Sequence, residues 1–438
     1  MRFWCFGLSA VSAAAALVAP AAAQAQAREP QLVVAVPPMP TPKNVDTEGG
    51  QTGVLGIQIA QLIASDLRSS GAIVAIDPDK LRRYTPTEAA APIYPNWANS
   101  GAGALVQGYV QARDDGRITV ACYLYDLKTR REMTRAGFAV GAEDWRRAAH
   151  RCADAFHKAI TGLPGHFDSR ITYVAETGSR TAPVKRLAIV NWDGTHHNFL
   201  TQGEGTVITP RLSPDGQRIV YVSITGGMPH VRIMDLDGEN DRALLAGPPA
   251  MSFAPVFSPD GRRIAFSMAN EGNTDIYIVG AGGGFPQRLT TAPGIDTAPT
   301  FSPDGRSIAF ESDRGGSQQI YVMNTDGSGQ RRISFTGGGH GSPAWSPKGD
   351  LIAFSRWNGS TLSIGVIAPD GSGERMVTNG WQDERPSWAP DGEFLVFDRT
   401  QQGSGIPWPY TVRLDGAEPK RLAIPQPGSD PDWSGVLQ

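Results

Sequence analysis

Pro210 to Ser223 reads PRLSPDGQRIVYVS, and the same phrase returns along the rest of the chain. PVFSPDGRRIAFSM begins at Pro255, PTFSPDGRSIAFES at Pro299, PAWSPKGDLIAFSR at Pro343 and PSWAPDGEFLVFDR at Pro386. A truncated copy, PDWS, begins at Pro431, and successive leading prolines stand 43 to 45 residues apart. A period of about 40–50 residues with four strands per unit is that of a β-propeller blade. Helical arrays of similar period need apolar stripes spaced by 3.6 residues, and none runs through these repeats.

The copy at Pro299 shows how a unit is built. Thr300 to Ser302 reads as a short first strand. In the turn Pro303-Asp304-Gly305, proline presets φ, aspartate bonds back to the backbone and glycine accepts a positive φ. Ile308 to Phe310 is a second strand, apolar on both faces as a sheet packed between two others requires. Gln319 to Asn324 (QIYVMN) is a third, ended by the turn Asp326-Gly327, and Arg331 to Ser334 is a more polar outer strand.

Ahead of the first full phrase, RITYVAE from Arg170 matches a second strand, RLAIVNWDG from Arg186 a third and Asn198 to Thr201 a fourth. No first strand precedes them, whereas Pro431 to Ser434 is a first strand with nothing after it. The tail is therefore expected to supply the missing strand and remove two open edges. That predicts an all-β six-bladed propeller over 170–438, closed by the C-terminal strand.

Residues 28–162 carry no repeat. Strands are expected at Gln31 to Val36, Ala72 to Ile76, Ala104 to Ala112, Arg117 to Leu127 and Glu132 to Val140, with helices at Gly53 to Ser69 and Glu143 to Thr161. This is a small N-terminal α/β domain, joined to the propeller by a linker at 163–169. Residues 1–27 read as a signal peptide: Arg2, an apolar run from Phe3 to Val18, Pro20 and small-residue cleavage sites ending at Ala27. Export is the expectation, with no later segment apolar enough for direct membrane insertion.

Cys122 lies on the inward face of one expected strand and Cys152 on the apolar stripe of the second helix. In an oxidising compartment they are either a disulfide or two buried thiols. The formal charge of −3 gives no electrostatic case for nucleic acid.

No catalytic pattern survives inspection. No serine has glycine at both −2 and +2, so the hydrolase nucleophile elbow is missing. Gly282-Gly283-Gly284 and Gly337-Gly338-Gly339 lack the Lys-Ser/Thr of a phosphate loop. His196-His197 has no further ligand at zinc spacing, and Asp235-Leu236-Asp237-Gly238 lacks the closing glutamate of a calcium loop. No cofactor, no metal and no enzymatic activity are expected. A propeller lyase, a peptidase accessory or a solute-binding propeller is the alternative.

What remains is a surface. First strands line the axis of a propeller, so the turns leading into them converge on one mouth. Those turns hold Met251, Phe253, Asp296, Thr297, His340, Ser342, Asp383, Glu384 and Arg385. The mixture of apolar, hydroxyl and charged groups suits protein docking.

The export signal, the α/β domain and the repeats closed by PDWS together resemble the TolB family of the bacterial Tol-Pal system. GIQIAQLIASDLRSSGAIVAID from Gly56 is similar to the family's first helix and second strand, and ITGLPGHFDSRITYV from Ile160 to its junction into the propeller. The resemblance implies a monomeric periplasmic scaffold that maintains outer-membrane integrity and aids invagination during cell division. It implies the lipoprotein Pal as partner at the mouth, with Met251 and Thr297 at positions that face it. The family's segment ahead of the first strand, which contacts TolA, is here shortened to Arg28 to Gln31.

Overall fold

The computed structural model describes residues 31–179, 182–247 and 250–436; the expected signal peptide and its cleavage near Ala27 lie outside them. No helix among the described residues is long and apolar enough to cross a membrane.

The amino-terminal sheet has five strands, in the order Ile73–Ile76, Leu32–Ala35, Ala104–Ala112, Arg117–Asp126, Arg131–Gly141. Its first two pairings are parallel and the remaining two antiparallel. Helices Thr52–Ser69 and Trp145–Thr161 lie on one face. Leu55, Ile59, Ile63 and Leu67 from the first join Ala149, Cys152 and Phe156 from the second against Val106, Val120 and Leu124 of the sheet. Cys122 and Cys152 are disulfide-bonded there, with Cα atoms 6.3 Å apart, tying sheet to helix. The second helix begins two residues later than its sequence suggests, because Ala142–Asp144 forms a 3-10 turn. It stops at Gly162, whose φ of 78° is costly for any residue with a Cβ.

The remainder is a β-propeller of antiparallel four-stranded meanders. Four are separate sheets: 206–243, 252–288, 296–332, and one in which 170–199 contributes three strands and Gly428–Trp433 the fourth. Two more, 339–376 and 382–421, are joined by a single parallel pair, Leu362 with Gln382. Gly428–Trp433 pairs antiparallel with Arg170–Ser179, in register Trp433↔Ile171 and Ser429↔Val174. The second strands are buried on both faces: Ile264, Ala265 and Phe266 are fully covered, as are Ile308, Ala309 and Phe310.

Each inner strand carries the same irregularity. Thr209, Ala254, Ala298, Ser342, Arg385 and Asp430 adopt φ between 49° and 54°, and each precedes the leading proline of its phrase. A side chain in this region is strained. The strand bulges there and pairing resumes on the other side, for example between Thr297 and Thr300. Bonds from the preceding unit hold the bulge: the Ala298 and Arg385 amides donate to Ser267 and Ser355 Oγ at 3.1 Å, and that of Ser342 to Glu311 Oε2 at 2.8 Å.

The bulge moves the expected strand boundary. The inner strand is Asp296–Phe301, not Thr300 to Ser302, and its equivalents are Ser252–Phe257, Gly339–Trp345 and Gln382–Trp388. Phe253, Asp296, Thr297, His340, Ser342, Asp383, Glu384 and Arg385 are therefore strand residues rather than turn residues. Only Met251 of the set lies outside a strand.

Candidate partner-binding face

An antiparallel meander sends its loops to two ends. The loops leading into the inner strands and the hairpins joining second to third strands share one end, the mouth face. The Pro-Asp-Gly and Asp-Gly turns share the other, the turn face.

The turn face is where the amino-terminal domain sits. His166 Nδ1 lies 2.6 Å from Asp391 Oδ2, and Asp391 belongs to one of the Pro-Asp-Gly turns. Phe167, Trp192, Phe394 and Trp433 pack around the imidazole. Asp193, in the first Asp-Gly turn, takes Arg146 Nη2 at 2.5 Å and His150 Nε2 at 3.5 Å. His150 Nδ1 meets Asp66 Oδ2 at 2.8 Å. Burial opposes the His150 charge, yet Asp66 and Asp193 together push its pKa up to about 10. Asp154 accepts the Phe167 and Asp168 amides at 2.9 Å and fixes the connection between the two parts.

At the mouth, most of the charge anticipated from sequence is spent internally. Asp296 is fully buried and takes Arg314 Nη2 at 2.5 Å; burial raises its carboxyl, against bonds from Ser312, Thr290 and Arg314. Asp383 is fully buried in a bidentate pair with Arg399, at 2.7 and 2.8 Å. His340 is buried with Nε2 3.2 Å from Glu374 Oε1, and burial lowers its pKa. Thr297 donates to Glu311, whose other oxygen takes the Ser342 amide, so one carboxylate bridges two units. Phe253 packs half-buried against an inter-sheet cluster.

Arg385 pairs with Asp398 at 3.1 Å, Asp430 at 3.4 Å and Glu384 at 3.3 Å. Burial, with Asp430 and Glu384 adding repulsion, raises the Asp398 carboxyl to about 7. Below the mouth, a cleft of about 370 Å³ follows the axis, lined by Thr209, Ala254, Ala298, Ser342 and Arg385 and by the prolines that follow the last four.

The mouth face presents apolar groups among exposed polar ones such as Asn270, Glu271 and Asn358. Met251 is 40 % exposed, and Met228, Ile295, Phe335, Trp357, Trp381 and Ile406 join it. Of these only Met251 was anticipated. Aligning the repeats position by position would have revealed the tryptophans as exceptions. Among the described residues, no group of three or more His, Cys, Asp or Glu side chains is placed to hold a metal ion.

Residues 157–437 match the family described as the TolB beta propeller domain, and residues 25–133 that described as the TolB amino-terminal domain. A Tol-Pal system protein TolB from Zymomonas mobilis is 48 % identical over 404 residues, covering 92 % of this chain and 88 % of its own. A second, from Rhizorhabdus wittichii, is 50 % identical over 217 residues, covering 48 % of this chain and 49 % of its own. The crystal structure of TolB from Acinetobacter baumannii matches with a TM-score of 0.78 at 25 % identity, covering 93 % of this chain and 97 % of the other.

Proposed function

This chain belongs to the TolB family, and from that premise we propose that it is a periplasmic adaptor that binds the lipoprotein Pal at its propeller mouth. In that role it helps keep the outer membrane attached and draws it inward during division. It acts by docking, as a monomer and without a cofactor. The reading takes the propeller as six blades over 170–438, supported by the six meanders and by the pairing of Gly428–Trp433 with Arg170–Ser179. It takes 28–162 as the amino-terminal domain and 163–169 as the linker.

One observation carries the Pal reading. The amino-terminal domain occupies the turn face through His166–Asp391 and Arg146–Asp193, and leaves the mouth face open with Met251 and several aromatic groups exposed. Exposed apolar groups gathered on one end of a rigid scaffold mark a protein interface. The buried Asp296, Thr297, His340 and Asp383, with the half-buried Ser342, Glu384 and Arg385, shape that rim from beneath, and Met251 touches the partner directly.

Calorimetric titration of the mature protein with the lipid-free domain of Pal tests this. Saturable one-to-one binding, lost in Met251→Arg with the melting temperature unchanged, is the expected result. Heat traces indistinguishable from buffer for the unmutated protein would remove the reading.

A further inference from the structure

We infer that Trp357 and Trp381 are the specificity-determining anchor of the mouth face, a refinement that rests on the Pal reading above. Trp357 lies 14 residues beyond Pro343, and the same place elsewhere holds Ile224, Ala269, Asp313 and Thr400. Trp381 lies five residues before Pro386, where the other repeats have Gly205, Ala250, Gly294, Gly338 and Gln426. The other repeats form their sheets with no aromatic side chain at either place, so the propeller does not need one there.

Both side chains stay outside the adjoining cores and remain 55 % and 40 % exposed. A large aromatic surface left in water costs free energy that a monomer does not recover. The two are neighbours: Trp357 faces Leu362 across its hairpin, and the Leu362 amide donates to the Trp381 carbonyl at 3.1 Å. Phe335 and Ile406 lie in adjoining connections of the same face. Phe335 precedes Gly339, where an added Cβ would lie 3.9 Å from the Trp357 ring. Ile406 precedes Pro407, which pairs with Thr400, itself opposite Gln382.

The cations beside the patch are engaged, and the Arg332 guanidinium lies over the Phe335 ring, 5.2 Å from its centre. Arg356 donates to the Gly337 carbonyl at 2.7 and 3.0 Å and reaches Glu374 at 3.7 Å. The occupant of the patch is the apolar surface of the partner seated over the mouth. Trp381 leads directly into Gln382–Trp388, the inner strand that carries Asp383 to the rim, so a protein covering the axis meets it. Tryptophans in such positions dominate interface energetics.

The test compares the unmutated mature protein with Trp381→Gly and Trp357→Thr, residues that other repeats carry at those places. Each variant should keep its melting temperature and bind lipid-free Pal at least about 30-fold more weakly. Binding by either variant within about threefold of the unmutated protein would overturn the anchor while leaving the Pal reading intact. An unmutated protein that ignores Pal removes both. Sedimentation velocity gives the third arm: self-association abolished by Trp381→Gly would assign the patch to a second copy and overturn the inference.

Discussion

His166 and Asp391, 225 positions apart, share a hydrogen bond of 2.6 Å with both side chains 1 % exposed. The bond joins the segment after the second helix to a propeller turn. Asp391 keeps its local task as well, accepting the Glu393 amide at 2.8 Å. Burial disfavours the aspartate charge, but the His166 bond and charge more than offset it and hold the carboxyl below its ordinary range. Removing one partner of a buried pair leaves the other uncompensated. Asp391→Ala should therefore lower the unfolding free energy by about 3–5 kcal/mol in urea titrations. A change under about 1 kcal/mol would show that the contact contributes little.

The second contact between the two parts has a pH signature. The folded pKa of His150, about 10, lies above its ordinary 6.5. A raised histidine contributes stability that is fully present below the unfolded value and is lost as pH rises through the folded one. The groups facing it are Asp66 on the first helix, Arg146 one turn earlier and Asp193 from the propeller. The melting temperature should decline from about pH 7 to pH 10, and His150→Gln should flatten that decline while starting lower. Parallel pH profiles for the two proteins would refute this assignment.

Cys122 and Cys152 close a loop across the amino-terminal core, with a sequence separation of 30. A bridge of that span contributes about 2–4 kcal/mol. Cys122→Ala with Cys152→Ala should lower the first thermal transition, and a reducing agent should shift the unmutated protein but not the variant. The disulfide packs beside Phe156, on the helix that carries Arg146 and His150. Loosening it should also weaken the grip on Asp193.

The inner strands carry strain that can be released. Ala298 sits at φ 51°, where a Cβ costs about 1–2 kcal/mol. Ala298→Gly should be neutral or stabilising by up to about 1 kcal/mol, against the usual cost of glycine in a strand. A loss above about 1 kcal/mol would mean that the Ala298 side chain packs better than its backbone suggests.

Turn chemistry made the propeller legible in sequence, because Pro-Asp-Gly and Asp-Gly impose the same backbone wherever they occur. The mouth was less legible for two physical reasons. The bulge at each Xaa-Pro step interrupts the strand pattern, so Asp296 and Thr297 read as loop when they pair with Ser312 and Glu311. A buried aspartate also looks like an exposed one until its partner is placed. Asp383 meets Arg399 only because a hairpin folds it across. Trp357 and Trp381 were visible as letters, but their meaning lies in what the other repeats carry instead.

Gly428–Trp433 covers one edge of Arg170–Ser179, and the Ser434 amide donates to the Arg170 carbonyl at 2.8 Å. Trp433 is nearly buried, with Nε1 2.8 Å from Ser169 Oγ and its ring against His166. Truncation after Pro427 would expose a ten-residue strand edge, which invites pairing between chains. It would also strip the His166 site of one aromatic wall. The truncated protein should elute as oligomers and bind a dye for exposed apolar surface, whereas Trp433→Ala should stay monomeric and lose about 3–5 kcal/mol. A truncated protein that remains monomeric with an unchanged melting temperature would show that the tail is not what completes the ring.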